Sequence, residues 1–100
     1  MSTNKELEKK FKNILSKAIE YLKSIGTNEI ILFGSLAEGD YNEFSDIDLA
    51  ISGIPPRVYF KAVATLPLLV GKRIDLVLVD FVSKDLETKI RKEGQIVYAA

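Results

Sequence analysis

Two aspartates one residue apart, Asp46 and Asp48, open the alternating stretch "DIDLAI", and a third, Asp75, stands alone among aliphatic residues in "RIDLVLV". Side chains alternate along a strand, so Asp46, Asp48 and Ala50 share one face while Ile47, Leu49 and Ile51 share the other. Two strand positions span ~6.5 Å, close enough for both carboxylates to reach toward one ion. Without a cation they repel and raise each other's pKa. Folding alone does not ask for this, because Asp is depleted in strands. In the later stretch Asp75, Val77 and Val79 share a face, and if the two strands are neighbours Asp75 joins the pair. Three convergent carboxylates suit one or two magnesium ions. The competing reading makes Asp46 a cap or turn residue after Ser45, with Asp48 and Asp75 simply facing solvent.

Gly34-Ser35 directly follows the apolar run "EIILF". Glycine permits a tight turn and close approach of backbone to a ligand. Ser35 is expected to cap a short helix across "LAEG", with N-terminal amides able to meet phosphate. Neither a G-x-x-x-x-G-K-[ST] loop nor a G-x-G-x-x-G fingerprint occurs. The chain has no histidine and no cysteine, which excludes imidazole bases, thiol nucleophiles, disulfides and zinc-thiolate sites. Chemistry here must run on carboxylates, hydroxyls, Lys or Arg, and any metal must be a hard one held by oxygen. Lys plus Arg and Asp plus Glu number 14 each, so no basic excess points to nucleic acid or an anionic membrane.

These residues need elements to position them. Leu7, Phe11, Ile14, Leu15, Ala18, Ile19, Leu22 and Ile25 form one apolar helical stripe of about six turns, and Gly26 stops it. Thr3 with Glu6 predicts a capping box at its start. "EIILF", "DIDLAI" and "RIDLVLV" predict strands. Pro55 and Pro56 open a helix that Pro67 and Gly71 are expected to end. Ser83 predicts the N-cap of a last helix through Glu93, stopped by Gly94, and "QIVYA" reads as an edge strand or a docked tail. The expectation is an α/β (α+β) fold over residues 1–100 as one domain, with helices on a small sheet. Which strands run parallel stays open. A hydrophobic fraction of 47% supports a packed core. The charged start "MSTNKELEKKFK" and the short apolar runs predict neither a signal peptide nor a membrane span, hence a cytoplasmic protein.

Gly34-Ser35, ten residues, Asp46-x-Asp48 and the later Asp75 together resemble the signature of the DNA polymerase beta-like nucleotidyltransferase superfamily. Within it, the short chain, the leading helix and the "KEGQIVYA" ending are similar to the minimal nucleotidyltransferases (MNT, MntA-like antitoxins). The resemblance implies transfer of AMP from ATP, a nucleoside triphosphate substrate, to an acceptor hydroxyl, with pyrophosphate leaving. Asp46 and Asp48 would bind the Mg²⁺ ions, Asp75 would complete the second metal site and help deprotonate the acceptor, and Gly34 and Ser35 would contact the β- and γ-phosphates. The implied partner is a HEPN-type toxin encoded nearby, neutralised by AMPylation of a tyrosine, with no direct nucleic-acid binding. Many relatives carry Arg after Gly-Ser, whereas "GSLAEG" places Leu36 and Glu38 there. That departure supports an alternative in which the chain is a weak or inactive enzyme and neutralises its partner by binding. Lys72 and Arg73 are the candidate substitutes for the missing cations. Tyr41, Phe44, Tyr59 and Phe60 are either core or docking residues.

Overall fold

The computed structural model describes residues 4–100. Helix α1 (Asn4–Ser24) is followed by strand β1 (Glu29–Phe33), a one-turn helix α2 (Ser35–Glu38), strand β2 (Ile47–Ser52) and helix α3 (Pro56–Val70). Strand β3 (Ile74–Leu78), a 3₁₀ turn over Val79–Phe81, helix α4 (Lys84–Glu93) and strand β4 (Gln95–Ala99) complete the chain. The expected Thr3 cap lies outside the described residues. The sheet order is β3-β2-β1-β4. β1 pairs antiparallel with both β2 and β4, while β2 and β3 run parallel with α3 as their crossover. The question the pattern left open is thereby settled: the sheet is mixed, and "QIVYA" is an edge strand.

The alternation of each strand sorts its residues onto two faces. One face carries Ile30, Leu32, Ile47, Leu49, Ile51, Ile74, Leu76 and Leu78, all buried, and packs under Phe11, Ala18 and Leu22 of α1 and Ala62 and Leu66 of α3. The α1 stripe lies where its 3.6-residue period puts it, against that face. The opposite face is more thinly covered. Ile31, Ala50 and Val79 meet Ile90 of α4, with Phe33 and Val77 at the margin. α4 is capped by Ser83, whose Oγ accepts from Leu86 N at 3.2 Å, and is held to β1 by Arg91, whose Nη2 lies 2.9 Å from Glu29.

Two helix boundaries differ from expectation. Pro67 lies inside α3 rather than ending it. In the last turns a missing N–H forfeits one hydrogen bond, and Gly71, left-handed at φ 70°, makes the stop by donating to the Pro67 carbonyl at 2.9 Å. At α2, Gly34 is the N-cap residue and Ser35 is the first helical residue, without a side-chain cap. The helix begins one residue early because Gly34 adopts φ 74°, ψ −156°, which puts its carbonyl in reach of Glu38 N at 3.2 Å.

Candidate active site

The three acids arrive on the thinly covered face by register. Asp48 is the Cα partner of Asp75 across the parallel β2–β3 pair, and of Phe33 across β1. Ile47, Leu49, Ile74 and Leu76 are buried on the other side, so a one-residue slip would drive these carboxylates into the core. Asp46 lies one residue before β2, not inside it as expected. The turn that precedes it is closed by its neighbours: Asn42 N donates to Ser45 Oγ at 2.9 Å and Phe44 N to Asn42 Oδ1 at 2.8 Å. The carboxylate of Asp46 is thus not consumed as a cap, and its ion-pair partner is Arg73.

Electrostatics mark Asp48 most strongly. Burial first, then the charge of Asp75, a hydrogen bond shared with Asp75 and the charge of Asp46 push its pKa up from 3.8 to about 6. Asp46 and Asp75 keep more contact with solvent, at 40% and 45% side-chain exposure, and both face one guanidinium. Arg73 Nε sits 3.9 Å from Asp46 Oδ2 and 3.6 Å from Asp75 Oδ1. Lys72 points elsewhere, donating to the Glu43 carbonyl at 3.2 Å and lying over the Phe11 ring. Of the two candidate cations, only Arg73 reaches the acids.

The Gly34 turn touches the same group. A Cβ built on Gly34 collides with the Asp48 carboxylate, so the end of β1 and the carboxylate fit together only because that residue is glycine. Leu36 packs into the main core beside Ala37 and Tyr41, which explains an aliphatic residue at that loop position. Glu38 is exposed and shares a shallow depression with Phe33, Gly34, Leu86, Lys89, Ile90 and Glu93. Lys89, across from the Gly-Ser turn, was invisible to motif spacing because α4 comes 50 residues later in the chain and meets the turn only through the fold. The four aromatic candidates divide evenly. Tyr41 packs edge-on against Phe11 and the Tyr59 hydroxyl donates to the Leu76 carbonyl at 2.7 Å, whereas Phe44 and Phe60 are exposed.

The sequence of residues 7–100 matches the family model described as Polymerase beta, Nucleotidyltransferase. The chain belongs to this family. No protein of curated function gives a significant match. Among solved structures, a toxin–antitoxin with AMP-PNP superposes with a TM-score of 0.74 at 23% identity, over 85% of this chain and 73% of that one. A protein described as a minimal nucleotidyltransferase gives 0.71 at 22%, over 88% and 92%. The tri-AMPylated Shewanella oneidensis HEPN toxin in complex with MNT antitoxin gives 0.69 at 20%, over 89% and 72%. These likenesses establish a nucleotidyltransferase fold.

The donor set suits magnesium. Mg²⁺ is commonly held by one or two carboxylates with substrate phosphates completing its shell, rather than by an all-protein cage. Asp46, Asp48 and Asp75 offer only oxygen, and among the described residues no group of three or more acids is placed to hold a metal ion by itself.

Proposed function

We propose that this chain is a Mg²⁺-dependent nucleotidyltransferase that moves AMP from ATP to a hydroxyl on a second protein. The acceptor oxygen attacks the α-phosphorus, an O–P bond forms, the bond to the β-phosphate oxygen breaks, and pyrophosphate departs with the electron pair. Asp46 and Asp48 would hold the Mg²⁺ ion at the triphosphate. Asp75 completes the site and takes up the acceptor's proton. Gly34 and Ser35 bring backbone against the β- and γ-phosphates. Bound magnesium supplies charge neutralisation on the attacking and leaving oxygens, which is why the absence of histidine from the chain is no obstacle.

The observation that carries this reading is the register match of Asp48 with Asp75 beside Gly34. The acceptor is a tyrosine of a HEPN-type toxin and the chain is its antitoxin. Support comes from the family and from neighbours solved as toxin–antitoxin complexes, one with AMP-PNP and one with its toxin AMPylated. Residues 1–100 act as one minimal domain that relies on the partner for its acceptor. No described helix is long and apolar enough to cross a membrane.

The test mixes the protein with MgATP and a HEPN-type protein encoded beside it, then weighs that protein by mass spectrometry. A gain of one or more AMP units, lost in Asp46→Asn and Asp48→Asn, is the expected result. Glu38 beside Gly34 favours a second reading, neutralisation by binding alone. Inhibition of the partner without mass gain from any of the four nucleotides would establish that reading in place of the first.

A further inference from the structure

Arg73 is placed where a metal would be expected to draw the acids together. It immediately precedes β3, two residues from Asp75, and its carbonyl accepts from Ile47 N at 3.4 Å, which ties its backbone to β2. Its side chain is 75% exposed, so the tip stands in solvent on a fixed base. The Nε lies 3.9 Å from Asp46 and 3.6 Å from Asp75. Both distances exceed the 2.7–3.2 Å of an N–H···O hydrogen bond, so the guanidinium is held by charge rather than by directed bonds. A half-exposed ion pair of this kind is weak and is readily exchanged for another cation.

Resting on the nucleotidyltransferase reading, we propose that Arg73 is a placeholder cation, neutralising Asp46 and Asp75 in the metal-free protein and yielding them to Mg²⁺ when the ion arrives. Three carboxylates gathered on one side of the β2–β3 pair repel one another until a positive charge joins them. A guanidinium stays charged across the whole physiological range and so keeps the site folded and open between turnovers. Loading the ion is then an exchange of one cation for another. Arg73 is a positioning residue: it sets how tightly the free ion binds and touches no reacting atom.

The signature is one of sign. Losing a residue that helps to hold the ion weakens Mg²⁺ binding, whereas losing a competitor strengthens it. Titration calorimetry with Mg²⁺ alone should show Arg73→Gln binding about two- to five-fold tighter than the wild type, the range of a surface ion pair. Arg73→Lys should stay near the wild type. In EDTA, Arg73→Gln should melt below the wild type, and saturating Mg²⁺ should close that gap. Lys72→Gln is the control, because it removes the same charge one residue away from a side chain committed to Glu43 and Phe11. Unchanged or weaker Mg²⁺ binding in Arg73→Gln overturns the proposal while leaving the nucleotidyltransferase reading intact. Equal tightening in Lys72→Gln also overturns it, by reducing the effect to net charge. Absence of Mg²⁺ binding in both the wild type and Arg73→Gln also overturns the proposal, and the mass-gain assay with MgATP then decides the nucleotidyltransferase reading separately, because substrate phosphates complete the ion's shell there.

Discussion

A carboxyl group held at about 6 on an interior strand of a small sheet makes the protein's stability depend on pH in an unusual direction. Asp48 titrates near 3.8 when unfolded and near 6 when folded. Between those values the folded chain binds the proton that the unfolded chain has released. Stability therefore falls as pH rises from about 4 to about 6, and the cost is complete above 6. Because Asp48 is only partly buried, solvent screening reduces the full shift to an effect on the order of 1 kcal/mol. Asp48→Asn should abolish this slope and, in EDTA at pH 7, should be more stable than the wild type in urea melts. A variant less stable at pH 7 that keeps the wild-type slope would assign the slope to another group. Such a gain on removing an acid is the mark of a residue kept for chemistry rather than for folding. This much was legible in the sequence, since an acid inside an aliphatic strand contradicts local propensity. The part played by Arg73 was not legible, because its distance to Asp46 depends on β2 and β3 lying side by side.

At the scale of elements, the site depends on how β1 ends. The strand runs Ile30, Ile31 and Leu32 deep in the core, then releases Phe33 opposite Asp48 and turns at Gly34. The Gly-Ser spacing announced the turn but misplaced the cap. Ser35 is a helical residue and Gly34 does the turning, through a positive φ that a side chain would strain. Gly34→Ala combines two penalties, a left-handed backbone at a residue with a Cβ and a collision with the Asp48 carboxylate. The expected cost is about 1–3 kcal/mol of stability, with a larger fractional loss of AMP transfer than of partner binding. Urea unfolding and the mass-gain assay read the two quantities separately. A Gly34→Ala variant that transfers AMP at the wild-type rate would show that the close packing of β1 on Asp48 is dispensable. The β3 edge shows the complementary case. Tyr59 spends its hydroxyl on the Leu76 carbonyl, covering backbone that an edge strand would otherwise present to another chain.

Across the whole molecule, the site is an interface between three chain segments that share little sequence proximity. The parallel β2–α3–β3 unit brings Asp75 beside Asp48, and the antiparallel β1–β2 pair brings Gly34 against the same carboxylate. Hydrophobic alternation identified β2 and β3 and a continuous apolar run identified β1, while β4 stayed open between a strand and a docked tail. Alternation is the same for parallel and antiparallel pairing, so the juxtaposition of Asp48 with Asp75 was only conditional on neighbouring strands. The proposed metal site would be a property of the entire fold, because the unfolded chain has no means of holding the three acids together. Mg²⁺ should therefore stabilise the protein by mass action, by about 1.4 kcal/mol at ten times its dissociation constant. For a chain of this size that corresponds to a melting shift of roughly 6–11 °C. The shift should shrink as pH falls below about 6, where Asp48 takes up a proton in competition with the ion. Asp75→Asn should lose most of it at pH 7 while retaining the wild-type fold, since the Asp75 side chain is half exposed and an amide is close to it in size. A melting temperature that rises equally with Mg²⁺ in wild type and Asp75→Asn would remove Asp75 from the site and leave Asp46 and Asp48 as its only acids.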